Sequence, residues 1–106
     1  MAFENARIKA TKLGMDDFMP TVWIDCEYRG MCESYGGIDL RLLNFAKLLP
    51  ALLLVCGAVE WEHVKGKYVR IERDKDGAIA RLGHIVHDDW FQWQEFAIES
   101  TPGDAK

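Results

Sequence analysis

The chain has 106 residues, 49% of them apolar and 28% charged, which suits one domain with a core and is too short for two. Thirteen Lys and Arg against seventeen Asp and Glu give a net charge of -4, so the basic footprint that a phosphate backbone demands is missing. The longest apolar run, Leu48 to Val59, is broken by Pro50 and Gly57 and falls short of the roughly 20 residues of a membrane span.

The opening residues, MAFENARIKATKLG, contain no apolar stretch of the secretory kind. Cys26, Cys32 and Cys56 are an odd, sparse set without a pairing pattern. Reduced thiols in the cytoplasm are the expectation.

Residues 5–13 alternate, Ala6, Ile8 and Ala10 against Arg7, Lys9 and Thr11, and this period of two predicts a half-buried strand. Gly14 to Pro20 reads as a loop. Thr21 to Arg29 alternates again, with Val22, Ile24, Cys26 and Tyr28 on one face and Trp23, Asp25, Glu27 and Arg29 on the other. After Gly30, Cys32 to Ile38 returns as a third strand, and Gly36 and Gly37 mark a bulge or a sharp exit.

Asn44 to Gly57 carries the strongest helical signal. Phe45, Leu48, Leu49, Leu52, Leu53 and Cys56 recur at helical spacing between an N-cap asparagine and a terminal glycine. Pro50 removes a donor, so either a kink or a later start, near Leu49, is expected. Val59 to Lys65 suits a single helical turn or a tight connection. Lys67 to Arg73 and Ala78 to Val86 form a hairpin about the DKDG turn, with Gly77 at the position needing positive φ. Asp88 to Phe96 is dense in aromatics, and the tail from about residue 97 to 106 is expected to fray. The order βββαββ predicts a single α+β domain over 1–106: one antiparallel sheet of about five strands with the 45–56 helix across a face.

The candidate chemistry is thin. His84 and His87 stand three apart in a predicted strand, which would point them to opposite faces and argues against a shared metal. DKDG lacks the glutamate that a calcium loop would need six residues after its glycine, since Gly83 stands there. SYGGID matches neither nucleotide-binding glycine pattern. Cys32 and Ser34 have no evident base beside them. No catalytic residue, metal ligand or cofactor is expected. The four tryptophans divide between core and surface, and aromatics beside carboxylates have the composition of an interface.

The segments GMCESYGGIDL, WEHVKGKYVRIER and ARLGHIVHDDWF, preceded by TKLG, follow one another from about Ile8 to Phe91. In that order the chain resembles a family of small, mostly uncharacterised phage and prophage proteins. The resemblance implies origin rather than mechanism, and it brings no catalytic residues with it. Short acidic proteins of such origin commonly occupy a surface of a host protein, defence complexes of the CRISPR type included.

The expected function is therefore non-enzymatic protein binding, inhibiting a bacterial host or defence complex in the host cytoplasm, with no direct contact to nucleic acid or membrane. The expected binding residues are Glu33, Tyr35 and Asp39 near the paired glycines and Trp90 and Trp93 near the C-terminus. Acids would steer association and desolvated aromatics would hold it. A second reading is a small-molecule or nucleotide-binding protein or enzyme that uses the Cys32–Asp39 loop as its pocket.

Overall fold

The structure is a computed structural model that describes residues 3–98. It is an α+β architecture with one six-stranded antiparallel sheet in the order β3-β2-β1-β4-β5-β6. The strands are β1 (Phe3–Asp16), β2 (Met19–Tyr28), β3 (Met31–Gly36), β4 (Tyr68–Arg73), β5 (Ile79–His84) and β6 (Trp90–Phe91). One α-helix, α1 (Phe45–Cys56), packs on the inner face against β4, β5 and β6. Among the described residues no helix is long and apolar enough to cross a membrane.

The sheet is two three-stranded meanders joined edge to edge. Residues 3–7 of β1 pair with residues 68–72 of β4, and this ladder is the joint. Side-chain alternation sends Ala6, Ile8, Val22, Ile24, Cys26, Val69, Ile71, Leu82 and Phe91 inward, where Leu48, Leu52, Val55 and Cys56 of α1 cover them. Each fully buried side chain of this size contributes roughly 1.5–3 kcal/mol.

Five of the six strands coincide with expected ones. The sixth, β6, is two residues long, too short to show any period, and pairs Trp90 with Gly83 and Phe91 with Leu82. A bulge at Lys9 corrects the reading of β1: Ile8 lies opposite Cys26 on the inner face, but Ala10 lies opposite Asp25 on the outer one. One extra residue reverses the alternation, so Thr11, Leu13 and Met15 take over the inner side.

The expected loop from Gly14 to Pro20 is not a loop. β1 continues to Asp16, β2 begins at Met19, and only Asp17 and Phe18 make the turn, Asp17 with a left-handed φ of 58°. Beyond the flanking strands this hairpin continues alone as a two-stranded arm. The next turn, Arg29–Gly30, has φ of 51° and 76°, the signature of a tight hairpin in which both central residues are left-handed.

Helix α1 begins and ends where the sequence places it. Asn44 accepts from the Lys47 N–H, and Gly57, at φ 72°, closes the C-terminus. The helix neither starts late nor stops at Pro50, which lies inside it with its ring exposed. The carbonyl of Ala46, deprived of its partner there, is on an exposed residue. Residues 97 and 98, which open the expected fray, are held in place: Ala97 bridges to Leu43, and the Ile98 N–H donates to the Leu42 carbonyl at 2.9 Å. Residues 99–106 of the expected tail lie outside the described residues.

Candidate functional site

The helix covers the inner face, and the outer face of β4, β5 and β6 is left to side chains. There the register sets three rows side by side. Arg7 lies opposite Tyr68; Asn5, Arg70, Gly83 and Trp90 follow one another across four strands; Phe3, Glu72 and Arg81 make the third row. Because Gly83 has no side chain, the Trp90 ring lies directly over its backbone.

That ring is held from several sides. Its centroid is 4.9 Å from that of Phe3, and the guanidinium carbons of Arg81 and Arg70 stand 4.2 and 5.0 Å from it. The indole N–H donates to Asp88 at 2.8 Å. Arg70 is fixed by donating to the carbonyls of His84 and His87 at 2.7 and 2.6 Å. Arg81 pairs with Glu72, and Arg7 with Glu27 at 3.2 Å. Tyr68 and Phe3 are exposed beside this group. The result is a face of aromatics with stacked arginines whose rotamers are set by their neighbours.

The other expected binding residues go elsewhere. Tyr35 and Trp93 are 5% and 3% exposed and belong to the core, their rings 5.3 Å apart, so neither can present its ring on a surface. The sheet curls until β3 faces the start of β5, which β6 leaves unpaired, and side chains cross the gap. The Tyr35 hydroxyl lies 3.2 Å from the Ala80 carbonyl, to which it donates, and Glu33 accepts from the Ile79 N–H at 3.3 Å. Glu33 also receives Arg73 at 2.8 Å and the Tyr28 hydroxyl at 3.2 Å. Burial pushes the Glu33 carboxyl up, but Arg73, Tyr28 and Ile79 together outweigh it and hold it below the ordinary carboxylate value. Asp39 is spent locally: it caps the short turn Leu40–Leu42 and grips Arg41 at 2.8 Å.

Glu33, Tyr35 and Trp93 thus share one cleft of about 420 Å³, bounded also by Ser34, Gln92 and Gln94. Trp90 is on the opposite face and Asp39 lies outside the cleft's lining. The five expected residues do not form one surface. Phe3, Tyr68, Arg70 and Arg81, which do gather around Trp90, escaped the sequence reading. For Tyr68 and Arg70 the signal was the outward half of YVRIER, where Tyr68, Arg70 and Glu72 alternate with a buried Val69 and Ile71.

Two expectations about reactive groups are resolved. All three cysteines are free; burial pushes the Cys26 and Cys56 thiols up to about 12, while Cys32 is exposed. His84 and His87 are not on opposite faces, because β5 ends at His84 and the turn brings the rings to 4.6 Å. His84 Nδ1 accepts from the backbone N–H groups of Val86 and His87, which makes it a turn-forming group. Among the described residues no three His, Cys, Asp or Glu side chains converge as metal ligands. No protein family, curated protein or solved structure matches this chain.

Proposed function

We propose that this chain is a non-enzymatic accessory protein of phage or prophage type, which binds and inhibits a protein complex of its bacterial host, a CRISPR-type defence complex included. It works in the host cytoplasm, through the outer sheet face centred on Trp90. The observation that supports this reading is the Trp90 cluster itself. Trp, Tyr and Arg are the residues that dominate interface energetics, and here they are held in place before any partner arrives. The charge at this face comes from Arg7, Arg70 and Arg81 as much as from acids, so the expectation of an acidic–aromatic surface is revised to an arginine–aromatic one.

The test is capture from bacterial lysate, identification by mass spectrometry, and surface plasmon resonance on the purified partner. Trp90→Ala or Tyr68→Ala in folded protein is expected to weaken binding by about 30-fold, mainly through faster dissociation. Unchanged rates for both variants would sink the assignment of this face. A second reading rests on the cleft at Glu33, Tyr35 and Trp93, which is concave and of ligand size. Native mass spectrometry showing a stoichiometric metabolite, lost in Ala78→Trp at the exposed wall of the cleft, would favour it instead.

A further inference from the structure

β3 ends the sheet on one side and has β2 as its one neighbour. The direction of its backbone groups follows from the turn that precedes it. Arg29 and Gly30 form a two-residue turn, so the closing pair, Tyr28 and Met31, exchanges both backbone hydrogen bonds. Every second pair does the same, and the Gly37 N–H, donated to the Val22 carbonyl at 2.8 Å, keeps that phase to the end of the strand. Glu33 and Tyr35 therefore turn their N–H and C=O groups toward β2, while Cys32 and Ser34 turn theirs to the open side.

Strand edges are ordinarily blunted by proline, lysine, a bulge or an inward charge. MCESYG has neither proline nor lysine, and its register with β2 is unbroken. Its one charge, Glu33, is turned into the seam and neutralised by Arg73 at 2.8 Å. The edge is left able to pair.

That open side borders the cleft that Glu33, Tyr35 and Trp93 share. Ser34 and Gly36 belong to one wall, and Asp74, Ala78 and Ile79 to the other. The walls stand too far apart to pair with each other. Tyr35 crosses with its whole side chain and still needs a hydrogen bond of 3.2 Å to reach Ala80, whereas paired strands lie about 4.8 Å apart. On the far wall Glu33 and Tyr35 already occupy the Ile79 N–H and the Ala80 carbonyl, so the unpaired edge is that of β3. The lining holds two acids and no cation. Glu33 has Arg73, but Asp74 spends only Oδ1, on the N–H groups of Asp76 and Ala78, and makes no ion pair among the described residues. Trp93 keeps a buried indole N–H that no described residue accepts.

We infer that the cleft receives an extended peptide segment of a partner protein, which adds to β3 through the backbone groups of Cys32 and Ser34 and brings a lysine or arginine to Asp74. In strand addition the main chain supplies affinity and alternate side chains supply specificity. Guest residues turned inward meet the buried rings of Tyr35 and Trp93, which leaves room there for small side chains only. Trp90 lies on the opposite face and takes no part. The inference therefore stands or falls independently of the binding face proposed above, and it replaces the metabolite as the cleft's occupant.

The probe is an array of random decapeptides screened with the full chain, binders being measured by fluorescence anisotropy. They are expected to carry a lysine or arginine. In hydrogen exchange followed by NMR, the Cys32 and Ser34 amides should become protected when such a peptide binds. N-methylation of alternate peptide nitrogens should abolish binding in one phase and spare it in the other, a dependence that side-chain docking would not show. Ser34→Pro removes an N–H that β2 does not use, so it should leave the melting temperature unchanged and weaken the peptide by about tenfold or more. Asp74→Asn keeps the turn's acceptor and should weaken lysine-bearing peptides by about threefold, with alanine-substituted ones unaffected. Trp90→Ala should change none of these. An array without binders, protection that spares Cys32 and Ser34, binding indifferent to the phase of N-methylation, or a stoichiometric metabolite that displaces the peptide would each overturn the proposal.

Discussion

At Gly83 the backbone and the Trp90 ring are so close that an added Cβ would stand 2.7 Å from the nearest ring carbons. No backbone strain is involved, because Gly83 is an ordinary strand residue; the constraint is contact alone. Gly83→Ala must therefore lift the indole from the sheet and separate it from Arg70 and Arg81. The expected cost is about 1–3 kcal/mol, read as a lower melting temperature, together with loss of partner binding comparable to Trp90→Ala. A variant of wild-type stability and affinity would mean that the ring does not lie where the contact places it. Trp90 was legible as a binding candidate from composition, but its neighbours were not. Phe3 and Trp90 are 87 positions apart in sequence, and only the register of three ladders makes them adjacent. Tyr35 and Trp93 failed as surface candidates because an aromatic side chain with a polar atom suits a buried seam as well as an interface.

Among the elements, the helix and the DKDG hairpin were readable because their signals are local: a cap, a period, a turn glycine. Asp74 accepts from the N–H groups of Asp76 and Ala78, and Gly77 takes φ 87°, as that turn requires. The arm departs from the expected loop because Gly14 and Pro20 are loop residues by habit; here Gly14 stands opposite Thr21 and Pro20 opposite Met15 in the ladder, with no third strand needing their backbone donors. Pro50 exposes the limit of propensity. It occupies the sixth position of a twelve-residue helix, where its absent N–H would have bonded the Ala46 carbonyl. Packing of Leu48, Leu52, Val55 and Cys56 outweighs that loss. Pro50→Ala restores the donor on an exposed face and is expected to stabilise the protein by about 1–3 kcal/mol, observable as a raised urea midpoint. An equal or lower midpoint would show that the ring supplies something the exposed position does not suggest.

Over the whole molecule, the curled sheet holds together at a ladder between β1 and β4 and at a seam of side chains between β3 and β5. The seam is sensitive to acid through Glu33. Its carboxyl titrates below the ordinary value in the folded state, so its contribution is fully present above the unfolded value, about 4.3, and is lost as pH falls through the lower folded one. The stability of the native chain measured by urea denaturation should fall over that acid window, and Glu33→Gln should flatten this part of the profile; an unchanged slope would assign acid sensitivity to other groups. The ladder has a different consequence. β1 leaves the ribosome first, yet the strand it must join at the centre of the sheet is encoded 69 residues later, Phe3 meeting Glu72. The first meander therefore emerges with Ala6, Ile8, Val22 and Ile24 uncovered and must wait, while the helix and then the second meander are synthesised. A topology that places its earliest and its late strands side by side folds slowly and exposes a sticky sheet edge in the interval. Chaperones that shelter nascent apolar strands should raise its soluble yield, and interchanging the two meanders by circular permutation at the exposed Val59 would keep the helix cap at Gly57 and the sheet contacts while changing which edge has to wait.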